Sequence, residues 1–148
     1  MNCAHPLRGP GRATRAALIA LLGSLAGAAA HADCGEQLAA PTRQLAAQAG
    51  YQVAFVASSW PVQPGQHFSL ELVVCAPPGA QALQTLRVDA DMPAHRHGMN
   101  YRASVLPLGN GRFHAEGLMF HMAGRWRLIF DLQGASQAVR VTHEVVVP

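Results

Sequence analysis

The chain has 148 residues, with eleven basic and eight acidic side chains, and half of its residues are hydrophobic. Three of the basic residues, Arg8, Arg12 and Arg15, lie in the first fifteen positions. Without them eight arginines face eight acids, so the rest of the chain is close to neutral and offers no basic patch for nucleic acid.

Those arginines open an export signal. They are followed by Ala16 to Ala30, a run of Ala, Leu, Ile and Gly with one Ser, and by a small-x-small site at Ala30-His-Ala32. This pattern reads as a secretory signal peptide over residues 1–32, cut before Asp33. An uncleaved anchor is the alternative, but the apolar run is short of the roughly 20 residues that a membrane span needs. The expected product, Asp33 to Pro148, is a periplasmic or secreted chain of 116 residues with no stable membrane insertion. That length suits one domain. It keeps two cysteines, Cys34 and Cys75, and an exported even pair reads as one disulfide. Metal ligation by one or both thiols is the alternative.

Residues 33–50 read as a lead-in. They are Ala/Gln-rich and broken by Pro41, with either a short helix around Thr42 to Ala49 or no regular structure. From Gly50 onward the hydrophobic period becomes two. Tyr51, Val53 and Phe55 alternate with polar or small residues, and Pro61 to Gly65 forms a turn. Phe68, Leu70, Leu72 and Val74 make a half-buried strand that ends at Pro77-Pro78. Leu86, Val88, Ala90 and Met92 make the next strand. Tyr101 to Leu106 is expected as another, followed by a turn over Pro107 to Gly111 with Asn110-Gly111 as its hairpin pair.

Arg112 to Met122 is expected to carry a bulge at Gly117, because Phe113 and Ala115 differ in parity from Leu118, Phe120 and Met122. Trp126, Leu128 and Phe130 alternate in the next strand, and Val139, Val141, Val145 and Val147 share a face with His143 in the last. Seven short strands over residues 51–148, with no helical crossover, predict an all-β, immunoglobulin-like β-sandwich.

Chemistry concentrates in Asp91-Met-Pro-Ala-His-Arg-His-Gly-Met99 and in Met119-Phe-His-Met122. Imidazole and thioether together suit copper, the thioether favouring Cu(I) and a His-dominated set allowing Cu(II). Zinc would ordinarily add Cys or a carboxylate, and Asp89 and Asp91 leave their strand on the face opposite Met92. His95, His97 and Met99 follow at steps of two and serve no apolar period, so they are the leading candidates. Met92 continues an apolar face and Met122 shares the parity of Leu118 and Phe120, so both read more simply as core. Met119 and His121 have the opposite parity, and His114 reads as solvated surface. No nucleophile with an oriented base stands out, so the chain does not read as an enzyme. No cysteine neighbours a late His and Met as a cupredoxin oxidase centre would need.

The Met-Pro-x-His-x-His-Gly-Met loop, followed by Gly111-Arg-Phe, Gly117-Leu and Phe120-x-Met-Ala-Gly-x-Trp126, resembles the YtkA-like domain family, which is related in pattern to the FixH proteins of cytochrome oxidase assembly. The resemblance spans Tyr51 to Val147. It implies an exported immunoglobulin-like sandwich, and it associates the loop motif His95, His97 and Met99 with copper handling or oxidase maturation. The second motif, Met122, Gly124 and Trp126, is equally explained by packing. Two readings therefore stand. One is a copper-binding or copper-delivery protein using His95, His97 and Met99, with Met92, His121 or Met119 completing the site and copper-export or oxidase-assembly proteins as partners. The other is a metal-free envelope domain that binds a membrane or respiratory partner through a sheet edge or the loop end.

Overall fold

In the computed structural model, residues 1, 33–38 and 41–148 are described, and the expected signal segment lies outside them apart from Met1. Among these residues, nine strands form two antiparallel sheets: β1 (Gln44–Gln48), β2 (Tyr51–Ala57), β3 (His67–Cys75), β4 (Leu83–Met92), β5 (His97–Gly98), β6 (Ser104–Gly109), β7 (Arg112–Met119), β8 (Gly124–Gly134) and β9 (Ala138–Val147). One sheet has the order β1-β2-β3-β7-β6 and the other β5-β4-β8-β9. Without the outermost β1 and β5, the order is four strands against three, as in constant-type immunoglobulin domains. These seven are the strands that the alternating pattern predicts.

The core follows from that alternation. Val53, Phe55, Leu70, Leu72, Val88, Ala90, Leu128, Phe130 and Val141 project between the sheets and are almost fully buried. Each sheet covers the apolar face of the other, which is what a half-buried strand requires. Trp126 and Phe120 are wholly buried and stack with ring centroids 4.8 Å apart.

Three local expectations need correction. The segment expected as a short helix or loose lead-in is instead β1, in register with β2 from Gln44↔Phe55 to Gln48↔Tyr51. Ala49 and Gly50 both take positive φ, 51° and 79°, and reverse the chain between the two strands. Helix propensity in Ala and Gln is a weak preference, and pairing with a neighbouring edge overrides it. The strand expected at Tyr101 to Leu106 begins at Ser104 and runs through Pro107 to Gly109. Pro107 is tolerated because β6 is an edge strand, so a missing N–H breaks no inner ladder. The turn is confined to Asn110 and Gly111, at φ 53° and 73°.

The bulge at Gly117 is present. Between the pairs Phe68↔Leu118 and Leu70↔Ala115, two residues of β7 face one of β3, and Gly117 takes φ 80°. The extra residue keeps Phe113, Ala115, Leu118 and Phe120 on the side facing the core. Cys34 and Cys75 are joined as a disulfide that lies with Ala54 and Val73 on the outer side of β2 and β3.

His143 occupies the inward face of β9, edge-on to Phe55 at 5.1 Å. Burial pushes its pKa below the ordinary value, with the Leu45 backbone and the charge of Glu144 acting the other way. The folded state therefore resists a proton that the unfolded chain accepts near pH 6.5. This contribution to stability is complete above about pH 6.5 and is lost as pH falls toward the lowered native value. Thermal melts at pH 7.5 and 5.5 are expected to show a larger drop in Tm for the wild type than for His143→Gln.

Candidate metal centre

The loop after β4 is a tight hairpin with a short helical turn at its tip. Pro93–His95 form one 3-10 turn, which fits a proline at its first position. Arg96 then takes the left-handed conformation, φ 56°, and donates its N–H to the Pro93 carbonyl at 3.3 Å. The chain returns as β5, with Asp91↔Gly98 and Met92↔His97 as paired positions. The Met99 N–H closes the hairpin on the Ala90 carbonyl at 3.0 Å. Below it, Arg127 of β8 grips Asp91 through two hydrogen bonds of 2.9 and 2.6 Å. The hydrogen bond and charge of Asp91 raise the Arg127 pKa further.

This register sets where each candidate lies. Directly opposed residues in an antiparallel pair share a face, so the His97 side chain lies beside that of Met92 on the inward face. Met92 itself is buried. Its Cε fills the space where a Cβ at position 124 would sit, 2.4 Å away, so Gly124 provides room for the thioether. His97 reaches the end of the core, with its ring centroid 5.7 Å from that of Trp126.

His121 arrives from the other sheet. β7 ends at Met119, and the chain from Phe120 to Ala123 crosses toward β8. The Gly65 N–H holds the Phe120 carbonyl at 2.7 Å, and Trp126 Nε1 donates to the Met122 carbonyl at 3.0 Å. With strand geometry ended, parity no longer directs His121 away from the core. It meets Trp126 edge-on at 5.2 Å and lies 4.9 Å from His97, centroid to centroid. The expectation that His121 shares the outward face of Met119 is thereby corrected.

The Nδ1 atoms of both His97 and His121 are buried and have no hydrogen-bond partner among the described residues. A buried polar atom left unpaired costs about 1–3 kcal/mol. Neither ring has a structural bond to account for that cost at Nδ1. An imidazole bound through nitrogen at about 2.0 Å has its centroid roughly 3 Å from the ion, so two rings on one ion lie within roughly 6 Å. The His97–His121 separation fits that limit. His95 is exposed at the tip and its ring lies 5.8 Å from that of His97.

The remaining candidates are elsewhere. Met99 packs partly buried against the core and lines a separate hollow with Arg87, Asp89 and Tyr101. Met119 pairs with His67 across β7 and β3. Asp89 is engaged by Arg87, and His114 meets Glu71 at 2.6 Å on the outer face. Among the described residues, no three His, Cys, Asp or Glu side chains gather around one point. A third ligand at the His97–His121 pair would therefore be a thioether, a backbone oxygen or an exogenous donor. Met92, paired with His97 across β4 and β5, is the thioether that the register places on the same face.

Comparison of the chain with protein-family profiles, with curated proteins and with solved structures gave no match.

Proposed function

We propose that this protein binds copper at the end of its sandwich, through His97 and His121 with Met92 as the thioether, and carries the ion rather than using it in catalysis. The observation that carries the reading is the approach of two imidazole rings to 4.9 Å, centroid to centroid, with buried Nδ1 atoms that have no partner among the described residues. Two imidazoles and a thioether, without a thiolate or carboxylate, favour copper over zinc. The loop's resemblance to the YtkA-like pattern supports the same reading. The export signal expected over residues 1–32 would place the activity in the periplasm, with copper-export or oxidase-assembly proteins as recipients.

The test is a titration of the purified protein with Cu(I), using a competing chelator and a thiol-free reductant, and with Cu(II) in air. One equivalent is expected to bind. His97→Ala and His121→Ala are each expected to weaken binding by at least about 100-fold, equivalent to about 2.7 kcal/mol. Unchanged uptake in the double variant would reject the site.

A second reading has its own observation. The edge strand β6 exposes Leu106 and Leu108, and an apolar open edge invites strand addition by a partner chain. On this reading the loop is only a fold device. The protein would bind its partner equally well after loss of both histidines.

A further inference from the structure

We propose that the end of the sandwich opposite the histidines holds a second site, for a neutral, flat, apolar molecule with one oxygen acceptor, such as an aromatic ketone. The sheets part there around a hollow of about 440 Å³, bordered by Tyr51, Val74, Leu83, Pro107 and Phe113. That volume falls within the range of small-molecule sites, roughly 300–1,000 Å³. The hollow lies at the start of β4 and the histidine hairpin at its end. β4 is 10 residues long, so the two sites stand roughly 30 Å apart.

The sequence keeps this space open. Pro77-Pro78-Gly79 turns the link between β3 and β4, and the Ala80 N–H closes that turn on the Pro77 carbonyl at 3.1 Å. The link then borders the hollow with the small side chains of Ala80 and Ala82. Across from it, the β6–β7 hairpin is tied to the end of β3. The Val74 N–H donates to the Gly111 carbonyl at 2.8 Å, and a Cβ at position 111 would stand 2.7 Å from the Val74 carbonyl oxygen. Backbone bonds hold both walls, so a ligand has little to order on entering.

The lining selects the ligand. Tyr51 is only 6% exposed, and its hydroxyl makes no hydrogen bond among the described residues although its ring borders the hollow. A buried phenol ordinarily finds a partner, and a ligand oxygen supplies one. Val74, Leu83, Pro107 and Phe113 present hydrocarbon to the rest of the molecule. Arg112 is the charged residue of the lining, but it pairs with Val73. Val73 lies on the outer side of the sheet with Cys34, so the register turns the Arg112 side chain away from the hollow. Gln81 is engaged by Ser136. No charge is thereby offered to the ligand, which favours a neutral one.

The experiment is an amide-resolved NMR titration of the purified protein with indanone and with indane, which keeps the rings and lacks the carbonyl. Saturable shifts are expected at Tyr51, Leu83 and Gly111, with a Kd of about 1 mM or tighter for indanone. Tyr51→Phe is expected to weaken indanone binding about fivefold, the worth of one hydrogen bond, and to leave indane within about twofold. A merely structural effect would weaken both probes alike. Ala80→Leu is expected to fill the hollow and abolish binding of both, with Ala82→Leu as the second filling variant should the first not fold. Absence of saturable shifts up to the solubility of indanone would overturn the proposal. Equal weakening of the two probes in Tyr51→Phe, or undiminished binding in a folded filling variant, would do the same. The site is independent of copper, so indanone is expected to bind His97→Ala as it binds the wild type.

Discussion

Trp126→Ala is expected to destabilise the fold by about 3–5 kcal/mol, the range for removing a large buried aromatic side chain. Trp126 has no exposed surface, stacks on Phe120 and hydrogen-bonds the Met122 carbonyl. Its removal leaves a cavity under both His97 and His121. Domains of this size are stable by about 5–15 kcal/mol, so the variant stands near the edge of folding. Chemical denaturation followed by circular dichroism gives the magnitude. Trp126→Phe separates packing from position. It keeps most of the volume and loses the indole N–H, so about 1 kcal/mol is expected from the hydrogen bond. A loss below about 1 kcal/mol in Trp126→Ala would contradict this packing.

The disulfide is the second large effect. Cys34 and Cys75 are separated by 41 residues in sequence, and closing a loop of that length lowers the entropy of the unfolded chain by the equivalent of about 4 kcal/mol. Replacing both cysteines by serine is expected to cost about 2–5 kcal/mol. The first described residues after Met1, 33–38, are held against β2 and β3 near this bond, where Ala54 and Val73 are buried beside Cys34. Limited proteolysis of the double serine variant is expected to clip this segment first. Copper uptake is expected to survive where the domain stays folded, because the bond lies outside the candidate centre.

The parts of the fold that were legible in the sequence are those where one face of a strand is buried. Phe68 to Val74, Leu86 to Met92 and Trp126 to Phe130 alternate because each side chain chooses between core and solvent, and that choice is written locally. The bulge was legible for the same reason, since the parity changes at Gly117. β1 was not, because Gln44 to Gln48 buries only Ala46 and gains its order from backbone pairing with β2. Pairing of that kind leaves little trace in side-chain type. Within the candidate centre, His97 was legible as a residue without an apolar role. His121 escapes strand parity because β7 ends at Met119. The end of the run of strand pairing is a tertiary fact, and the only local hint was Ala123-Gly124 shortly after. Met99 follows His97 at a step of two, yet β5 ends at Gly98 and Met99 lines the neighbouring hollow.

The two inner histidines come from different sheets, His97 from the strand that extends β4 and His121 from the crossing after β7. On the copper reading, an ion that bridged them would act as a clasp across the sandwich rather than as an ornament on one loop. Its binding energy would then add to the cohesion of the whole domain, by about 2.7 kcal/mol when free ion stands at 100 times its Kd. On that reading, loss of the ion would loosen this end of the sandwich and leave behind a measurably softer protein.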